Sequence, residues 1–229
     1  MNKHYYLVLD TETANSLDDP LFYDFGYAVV DRNGKIYESA SYINRDIFVE
    51  NKDLMQTAYY AEKVPAYWIG IMQGEHKVKS FYDIYKAVRD VFDRYPIRAV
   101  FAYNAHFDIG SLNKTTRYLT KSKIRYFLPY GVEVWDIWNF ACNTICVQKG
   151  YRKFCEENGF ISASGNLQTS AEAVYAYINK DGDFKESHTG LADVLIESTI
   201  LAKCYATHKK CHRKINRLCW RIPQPKKGE

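Results

Sequence analysis

Four acidic residues and one histidine, far apart along the chain, are of the types that bind divalent cations and transfer protons. Carboxylate oxygens are preferred ligands of Mg²⁺ and Mn²⁺, and two such ions can stabilise the attacking and leaving oxygens of a phosphodiester. No single one of these residues indicates a site, so the prediction depends on the elements that position them. The five residues are Asp10, Glu12, Asp108, His188 and Asp193.

Asp10 and Glu12 stand two positions apart at the end of a predicted strand, residues 5–10. Alternate side chains of a strand leave on the same face, so the two carboxylates lie side by side. Two like charges in this arrangement are unfavourable unless a cation neutralises them. A solvated strand end is the alternative interpretation.

Asp108 lies near the start of a predicted helix, after a short buried strand at residues 98–103. Ligand-binding groups of α/β sheets collect at such strand-to-helix junctions. Asn104, just ahead of it, either caps the helix or hydrogen-bonds a substrate. The alternative for Asp108 is an acid that stabilises the helix dipole.

His188 precedes the last predicted helix, residues 191–207, and lies five residues before Asp193. The helix can hold Asp193 rigidly while the preceding loop presents the imidazole close by. Histidine is the side chain whose ordinary pKa lies closest to neutrality, so His188 can accept a proton from water. An ordinary polar loop residue is the alternative. Asp193 and Glu197, the acids of this helix, come early and complement its dipole.

The order of the predicted elements favours a mixed α/β sheet with helices on both faces. Three strands come first, and Asn33-Gly34 between the second and third is a signal for a two-residue hairpin. Ser80 caps an amphipathic helix, and strands and helices then alternate. Residues 44–79 predict short helices joined by loops, with no assigned role. The predicted strands span residues 5–10, 25–31, 35–43, 98–103 and 132–136.

The chain of 229 residues is 47% hydrophobic, which is enough for one sizeable core. We predict one catalytic domain at residues 1–202, followed by a basic segment at residues 203–229. No run of 18 or more apolar residues occurs, which argues against a membrane span, and the N-terminus lacks a signal-peptide pattern. A cytoplasmic protein is therefore expected, with its six cysteines as reduced thiols.

The formal net charge of +4 is unevenly distributed. Residues 203–229 carry nine Lys and Arg and one acid, whereas residues 1–202 carry 22 basic and 26 acidic residues. This asymmetry indicates a polyanion partner, and a solvated tail that aids solubility is the alternative. A zinc site in the segment is less favoured, because the ligand spacing fits no finger pattern. Its candidate ligands are Cys204, His208, Cys211 and His212.

The three motifs together resemble those of the DEDDh 3′–5′ exonucleases, which include the proofreading exonucleases of bacterial replicases and ribonuclease T. The motifs are Asp-x-Glu at the end of the first strand, Asn-x-x-Phe-Asp at a later junction, and His-x₄-Asp at the last helix. Residues 24–36 also resemble the second strand and hairpin of that family. The resemblance covers residues 5–201, and residues 159–178 and 184–200 look most like exonucleases of bacterial phages. A bacterial or phage-infected host cytoplasm is the matching location.

This resemblance implies a ribonuclease H-like three-layer fold, with a mixed five-stranded sheet in the order 3-2-1-4-5. It implies that two divalent cations, Mg²⁺ or Mn²⁺, are held by Asp10, Glu12, Asp108 and Asp193. His188 would be the general base, and Asp136 would support the site from behind. The residues implied to line the 3′-terminal nucleotide are Thr11, Thr13 and Asn104.

The implied reaction is hydrolysis of the terminal phosphodiester at a 3′ end, which releases nucleoside 5′-monophosphates. The expected partner is a single-stranded or 3′-ended nucleic acid, with DNA favoured over RNA, and replication proteins are candidate partners. The alternative is a non-catalytic nucleic-acid-binding or replisome interaction subunit on the same scaffold. A glycosidase with paired carboxylates ranks lower, because that chemistry gives no role to His188.

Overall fold

The computed structural model describes residues 4–208, 210–211 and 213–224. Its centre is one mixed sheet of six strands, and nine α-helices are found among the described residues. The strands are β1 (Tyr5–Ala14), β2 (Leu21–Val30), β3 (Ile36–Asn44), β4 (Val78–Lys79), β5 (Ile97–Ala102) and β6 (Val134–Asp136). The helices are α1 (Arg45–Phe48), α2 (Lys52–Met55), α3 (Val64–Met72), α4 (Phe81–Arg94), α5 (Ala105–Thr120), α6 (Ile137–Thr144), α7 (Lys149–Asn158), α8 (Ala171–Asn179) and α9 (Gly190–Thr207).

The strand order across the sheet is β4-β3-β2-β1-β5-β6. The pairs β1–β2 and β2–β3 are antiparallel, whereas β5 and β6 run parallel to β1. The five principal strands therefore follow the predicted order 3-2-1-4-5, and the mixed α/β class is confirmed. The predicted number of strands is wrong by one, because Val78 and Lys79 pair with the end of β3. Two residues are too few to show a strand pattern in sequence.

The core lies on both faces of the sheet, because the side chains of β1 alternate between them. Val8 packs into one apolar cluster together with residues of α6, α7, α8 and α9. Leu9 packs into the opposite cluster, with residues of α4 and α5. Burial of each such aliphatic side chain stabilises the fold by roughly 1.5–3 kcal/mol. The central strand is thus fixed from both sides, which gives its carboxyl end a rigid position.

Local side-chain hydrogen bonds explain where α4 begins and why one predicted turn is wrong. Ser80 begins α4 as predicted, with its hydroxyl oxygen accepting a hydrogen bond from the Asp83 amide. The predicted two-residue hairpin is wrong, because β2 and β3 are joined by the longer connection 31–35. The Asp31 carboxylate accepts hydrogen bonds from the amides of Asn33 and Lys35, which stabilises the longer turn.

The segment between β3 and β4 consists of short helices, as predicted, and has a small core of its own. Phe48 and Tyr67 are buried there against Tyr23 of β2. The amide of Tyr59 donates to the carbonyl oxygen of Thr13 at 3.1 Å. The segment is therefore anchored beside the end of β1, next to the predicted acidic pair.

Part of the predicted basic segment packs against the domain. Cys219, in a 3₁₀ helix at Cys219–Arg221, is buried in the core. The side-chain amide of Gln224 forms two hydrogen bonds with the backbone of Leu167, at 2.8 and 3.0 Å. His212 lies outside the described residues, and so do residues 209 and 225–229. The domain boundary at 202 and the zinc alternative therefore stay predictions.

Within the described ranges, no helix combines the length and the apolar character that crossing a bilayer requires.

Candidate active site

One cleft of about 560 Å³ lies at the carboxyl end of β1 and contains every predicted site residue. Asp10 and Glu12 come from β1, Asp108 comes from α5, and Asp193 comes from α9. Because β1 is central in the sheet, the first turns of both helices lie against its end. The predicted residues that line the cleft are Asp10, Thr11, Glu12, Thr13, Asn104, Asp108, His188 and Asp193.

Thr11 holds Asp108 in place. Its amide and its hydroxyl donate hydrogen bonds to Asp108 Oδ1 at 3.1 and 2.9 Å. Ser111, one turn later on α5, lies 2.9 Å from the same hydroxyl. These bonds fix one oxygen of Asp108 and leave the other for a ligand. The predicted contact of Thr11 with a nucleotide stays a prediction.

Asp136 supports the junction that precedes α5. Its Oδ1 accepts hydrogen bonds from the amides of Asn104 and Trp138 at 3.2 and 2.8 Å. Asn104 has the left-handed backbone conformation, with φ of 66°. Asp136 therefore caps α6 and holds the turn that carries Asp108, which agrees with a supporting position.

Asp24 is a buried residue of the site region that the sequence did not reveal, because an acid within an apolar strand carries no motif. Its carboxylate accepts hydrogen bonds from the Gly190 amide at 2.9 Å and the Tyr67 hydroxyl at 2.7 Å. It joins β2, the start of α9 and α3. A Cβ added at Gly26 would lie 2.1 Å from the carbonyl oxygen of Gly190, so α9 begins directly against the backbone of β2. This contact places the first turn of α9 over the end of the sheet.

The carboxylates of the cleft are buried close to one another, and this raises their pKa values. Burial, together with repulsion from Asp193 and Asp24, raises the pKa of Glu12 to about 9. Burial and repulsion from Glu186 raise the pKa of Asp193 to about 8. Burial likewise raises the pKa of Asp108 to about 7, although the hydrogen bonds from Thr11 oppose the change. Anions in such a site favour a compensating positive charge.

The oxygen atoms of this cleft fit divalent cations. Among the described residues, three buried carboxylate oxygens around the cleft have no hydrogen-bond partner: Asp10 Oδ2, Asp193 Oδ1 and Glu197 Oε2. Ligand atoms of Glu12, His188 and Asp193 also lie within 4.8 Å of one another. A hard cation satisfies both the unpaired oxygens and the excess negative charge.

Stability without divalent cations should fall as the pH rises. The folded-state pKa values of Glu12, Asp108 and Asp193 lie above their ordinary values, so these groups favour folding at low pH. That contribution is lost as the pH rises through about 7 to 9. In EDTA, we expect the Tm to be about 5 °C lower at pH 9 than at pH 6, equivalent to about 2 kcal/mol.

Thermal unfolding followed by circular dichroism measures this effect. Millimolar Mg²⁺ should remove the decrease, and Glu12→Gln should reduce it in EDTA. A Tm in EDTA that is equal at both pH values, or that rises with pH, would contradict the mutual repulsion of these carboxylates.

His188 is held by two residues of the segment between β3 and β4. Its ring stacks on Tyr60, with centroids 4.4 Å apart and an interplanar angle of 17°. Lys63 Nζ donates a hydrogen bond to the carbonyl oxygen of Ser187 and lies 4.7 Å from the centre of the Tyr60 ring. His188 itself has a positive φ of 50°, in the left-handed region that few non-glycine residues adopt. The contacts of Tyr60 and Lys63 tie this loop to the segment between β3 and β4.

The electrostatic setting of His188 favours the neutral imidazole. Burial and the nearby Lys63 ammonium lower its pKa below 6.5. Glu186 Oε2 lies 3.9 Å from His188 Nδ1, so one acid faces the ring. Tyr60, Lys63 and Glu186 gave no signal in the sequence, because their proximity to His188 depends on tertiary packing.

Several exonucleases of known structure have folds similar to that of this chain. No protein-family model and no curated protein matches the chain. E. coli Exonuclease I has a TM-score of 0.57 at 13% identity, over 90% of this chain. Exonuclease I from Methylocaldum szegediense has a TM-score of 0.56 at 16% identity, over 96% of this chain. The chain spans 42% of the length of each of these two proteins.

The nuclease domain of 3′hExo, a DEDDh family member, matches over nearly its whole length. The TM-score is 0.54 at 15% identity, over 94% of this chain and 97% of that domain. The strand order and the position of the cleft at the end of β1 agree with the expected architecture. This chain therefore has the ribonuclease H-like fold of the DEDDh exonucleases.

Proposed function

We propose that the protein is a metal-dependent 3′–5′ exonuclease that hydrolyses the terminal phosphodiester of a nucleic acid and releases nucleoside 5′-monophosphates. The observation that carries this proposal is the meeting of four carboxylates and one imidazole in one cleft. These residues are separated by up to 183 positions in sequence, and a fold shared with solved exonucleases brings them together. A structural role alone gives no reason for so many buried, unpaired anions.

The four carboxylates of Asp10, Glu12, Asp108 and Asp193 would hold two divalent cations, Mg²⁺ or Mn²⁺. When bound, such cations stabilise the charge of the phosphodiester in the transition state and lower the pKa of water. Thr11 holds one oxygen of Asp108, so this ligand needs little rearrangement. Preorganised ligands of this kind reduce the entropy lost on binding.

His188 is the proposed general base. Its lowered pKa keeps the imidazole neutral near pH 7, so a ring nitrogen can accept the proton of the attacking water. The charges of Glu172 and Glu62 favour the imidazolium that forms, and Glu186 Oε2 lies 3.9 Å from its Nδ1. Tyr60 and Lys63 fix the ring and its loop, which limits the motion of the base during the reaction.

The proposed substrate is a 3′-ended single strand, with DNA favoured over RNA. E. coli Exonuclease I has been solved with a dA16 oligonucleotide, and 3′hExo with rAMP, so both sugars occur on this fold. Thr11, Thr13 and Asn104 are proposed to line the terminal nucleotide. The basic segment is proposed to bind the phosphate backbone, an attraction that weakens with salt.

The deciding experiment uses end-labelled DNA and RNA strands with Mg²⁺, Mn²⁺ or EDTA, at several salt concentrations. Release of labelled mononucleotides from the 3′ end in the presence of a divalent cation supports the proposal. Binding without cleavage under all these conditions would favour the alternative, a non-catalytic nucleic-acid-binding or replisome interaction subunit.

The stacking of Tyr60 on His188 predicts a positioning role for Tyr60. We expect Tyr60→Ala to lower kcat by about 10- to 100-fold, the range for a catalytic group displaced by about an ångström. Tyr60→Phe keeps the ring and should retain most of the activity. In protein labelled at histidine, the His188 ring proton signals should move towards solution values in Tyr60→Ala and stay displaced in Tyr60→Phe.

If both variants lowered activity equally without moving the His188 signals, Tyr60 would act on the substrate rather than on the histidine. A change of KM with constant kcat would lead to the same conclusion, because it would indicate lost substrate binding.

A further inference from the structure

Glu197 is a fifth acid of the cleft, and no motif marks it. It lies on α9 four residues after Asp193, and residues at this spacing share one face of a helix. The sequence suggested only that it complements the helix dipole. The structure instead places its side chain in the wall of the same cleft as Asp10, Asp108 and Asp193.

The environment of Glu197 is unsuitable for an isolated carboxylate. The residue is only 3% exposed, and its Oε2 atom is buried without a hydrogen-bond partner. Its strongest charged neighbours are Asp108 and Asp193, which repel it. A buried carboxylate in this position needs a cation or a proton.

The geometry favours a cation. Glu197 lines the cleft, and so do Asp10 and Asp193, which each have an unpaired buried oxygen as well. Three such oxygens around one cleft are what a site for hard cations requires. Buried polar groups generally have a hydrogen-bond partner, and this oxygen of Glu197 has none.

We propose that Glu197 is a further ligand of the divalent cations that the proposed function requires. With it, five carboxylates surround two cations, and their formal charge exceeds that of the ions by one. The extra anion increases the affinity of the site for cations. The extra anion also raises the free energy of the site when no cation is bound.

Cation binding tests this role independently of catalysis. Mn²⁺ binding to the full chain can be followed by electron paramagnetic resonance of the free ion, in wild type and in Glu197→Gln. Glutamine retains the shape and polarity of the side chain and removes its charge. We expect the weaker Mn²⁺ dissociation constant to rise by at least about tenfold, the lower limit for residues that support metal ligands.

Glu62→Gln is the matched control. It makes the same substitution at an exposed acid whose charge reaches His188, but Glu62 does not line the cleft. Its effect on the Mn²⁺ dissociation constant measures the influence of charge alone and should be less than about threefold, because a nearby charge that is no ligand acts only through space. If Glu197→Gln binds Mn²⁺ as wild type does, or no more weakly than Glu62→Gln, Glu197 is a protonated structural residue and the proposal is wrong.

Thermal unfolding in EDTA shows whether the variant folds. Glu197→Gln should unfold at or above the wild-type Tm, since an unpaired buried charge is removed. If it does not fold, Glu197→Met, of similar volume, replaces it in the same titration. If Glu197→Gln weakens Mn²⁺ binding but the wild type releases no nucleotide, only the exonuclease proposal is wrong. If the wild type cleaves nucleic acid but Glu197→Gln binds Mn²⁺ normally, only the present inference is wrong.

Discussion

Asp10→Asn should lower the rate of nucleotide release by about 10³- to 10⁵-fold at saturating Mg²⁺, which corresponds to roughly 4–7 kcal/mol of lost transition-state stabilisation. Asp10 lies within the central strand β1, and burial and repulsion from Asp108 raise its pKa well above the ordinary value. Its Oδ2 is buried without a hydrogen bond, so no other contact explains the carboxylate at this position. Asparagine preserves the shape of the side chain but is a weak ligand for Mg²⁺.

The assay is single-turnover release of labelled mononucleotide, with Asp93→Asn as control. Asp93 is an exposed acid on α4 and does not line the cleft, so its loss should leave the rate unchanged. The Tm of Asp10→Asn in EDTA should equal or exceed that of wild type, because a repelled anion has been removed. Wild-type cleavage by Asp10→Asn would show that cations are held elsewhere.

His188→Ala should lower turnover by about 10²- to 10⁴-fold, the usual contribution of a general base. Cation binding should persist, because the carboxylates remain in place. His188→Gln is the matched variant, since it retains hydrogen-bonding capacity but cannot take up a proton near pH 7. Both variants should therefore lose kcat to a similar extent.

The Mn²⁺ titration and the rate must be measured on the same samples. If His188→Ala loses a cation as well as activity, the imidazole is a ligand, as its proximity to Glu12 and Asp193 also allows. If His188→Ala and wild type release nucleotides at similar rates, the residue has no part in proton transfer.

The five residues that the combined sequence motifs indicated all line one cleft, and their roles there stay predictions. Asp10 and Glu12 lie in a strand that extends to Ala14, beyond its predicted end at residue 10, and Asp108 follows a strand-to-helix junction. Each setting is visible within about ten residues. Ser80 was predictable for the same reason, because a helix cap depends on its nearest neighbours. The structure confirms the order of the principal strands that bring these positions together.

The residues that were missed act over long sequence distances. Asp24 contacts Gly190, 166 residues away, and nothing near Asp24 in sequence indicates that partner. Glu197 resembles any acid early in a helix until the packing of α9 shows which face is buried. The connection at 31–35 was misjudged because the side chain of Asp31 competes with the backbone for the turn amides. Tertiary contacts and the competition of side chains for turn amides therefore cannot be predicted from neighbouring residues alone.

The close contact between Gly26 and Gly190 has a consequence for folding during synthesis. Synthesis proceeds from the amino terminus, so α9 leaves the ribosomal exit tunnel after all six strands. Until α9 packs against β2 at the contact between Gly26 and Gly190, Asp193 and His188 are not positioned beside Asp10 and Glu12. A nascent chain that ends before α9 therefore lacks two of the residues that line the cleft.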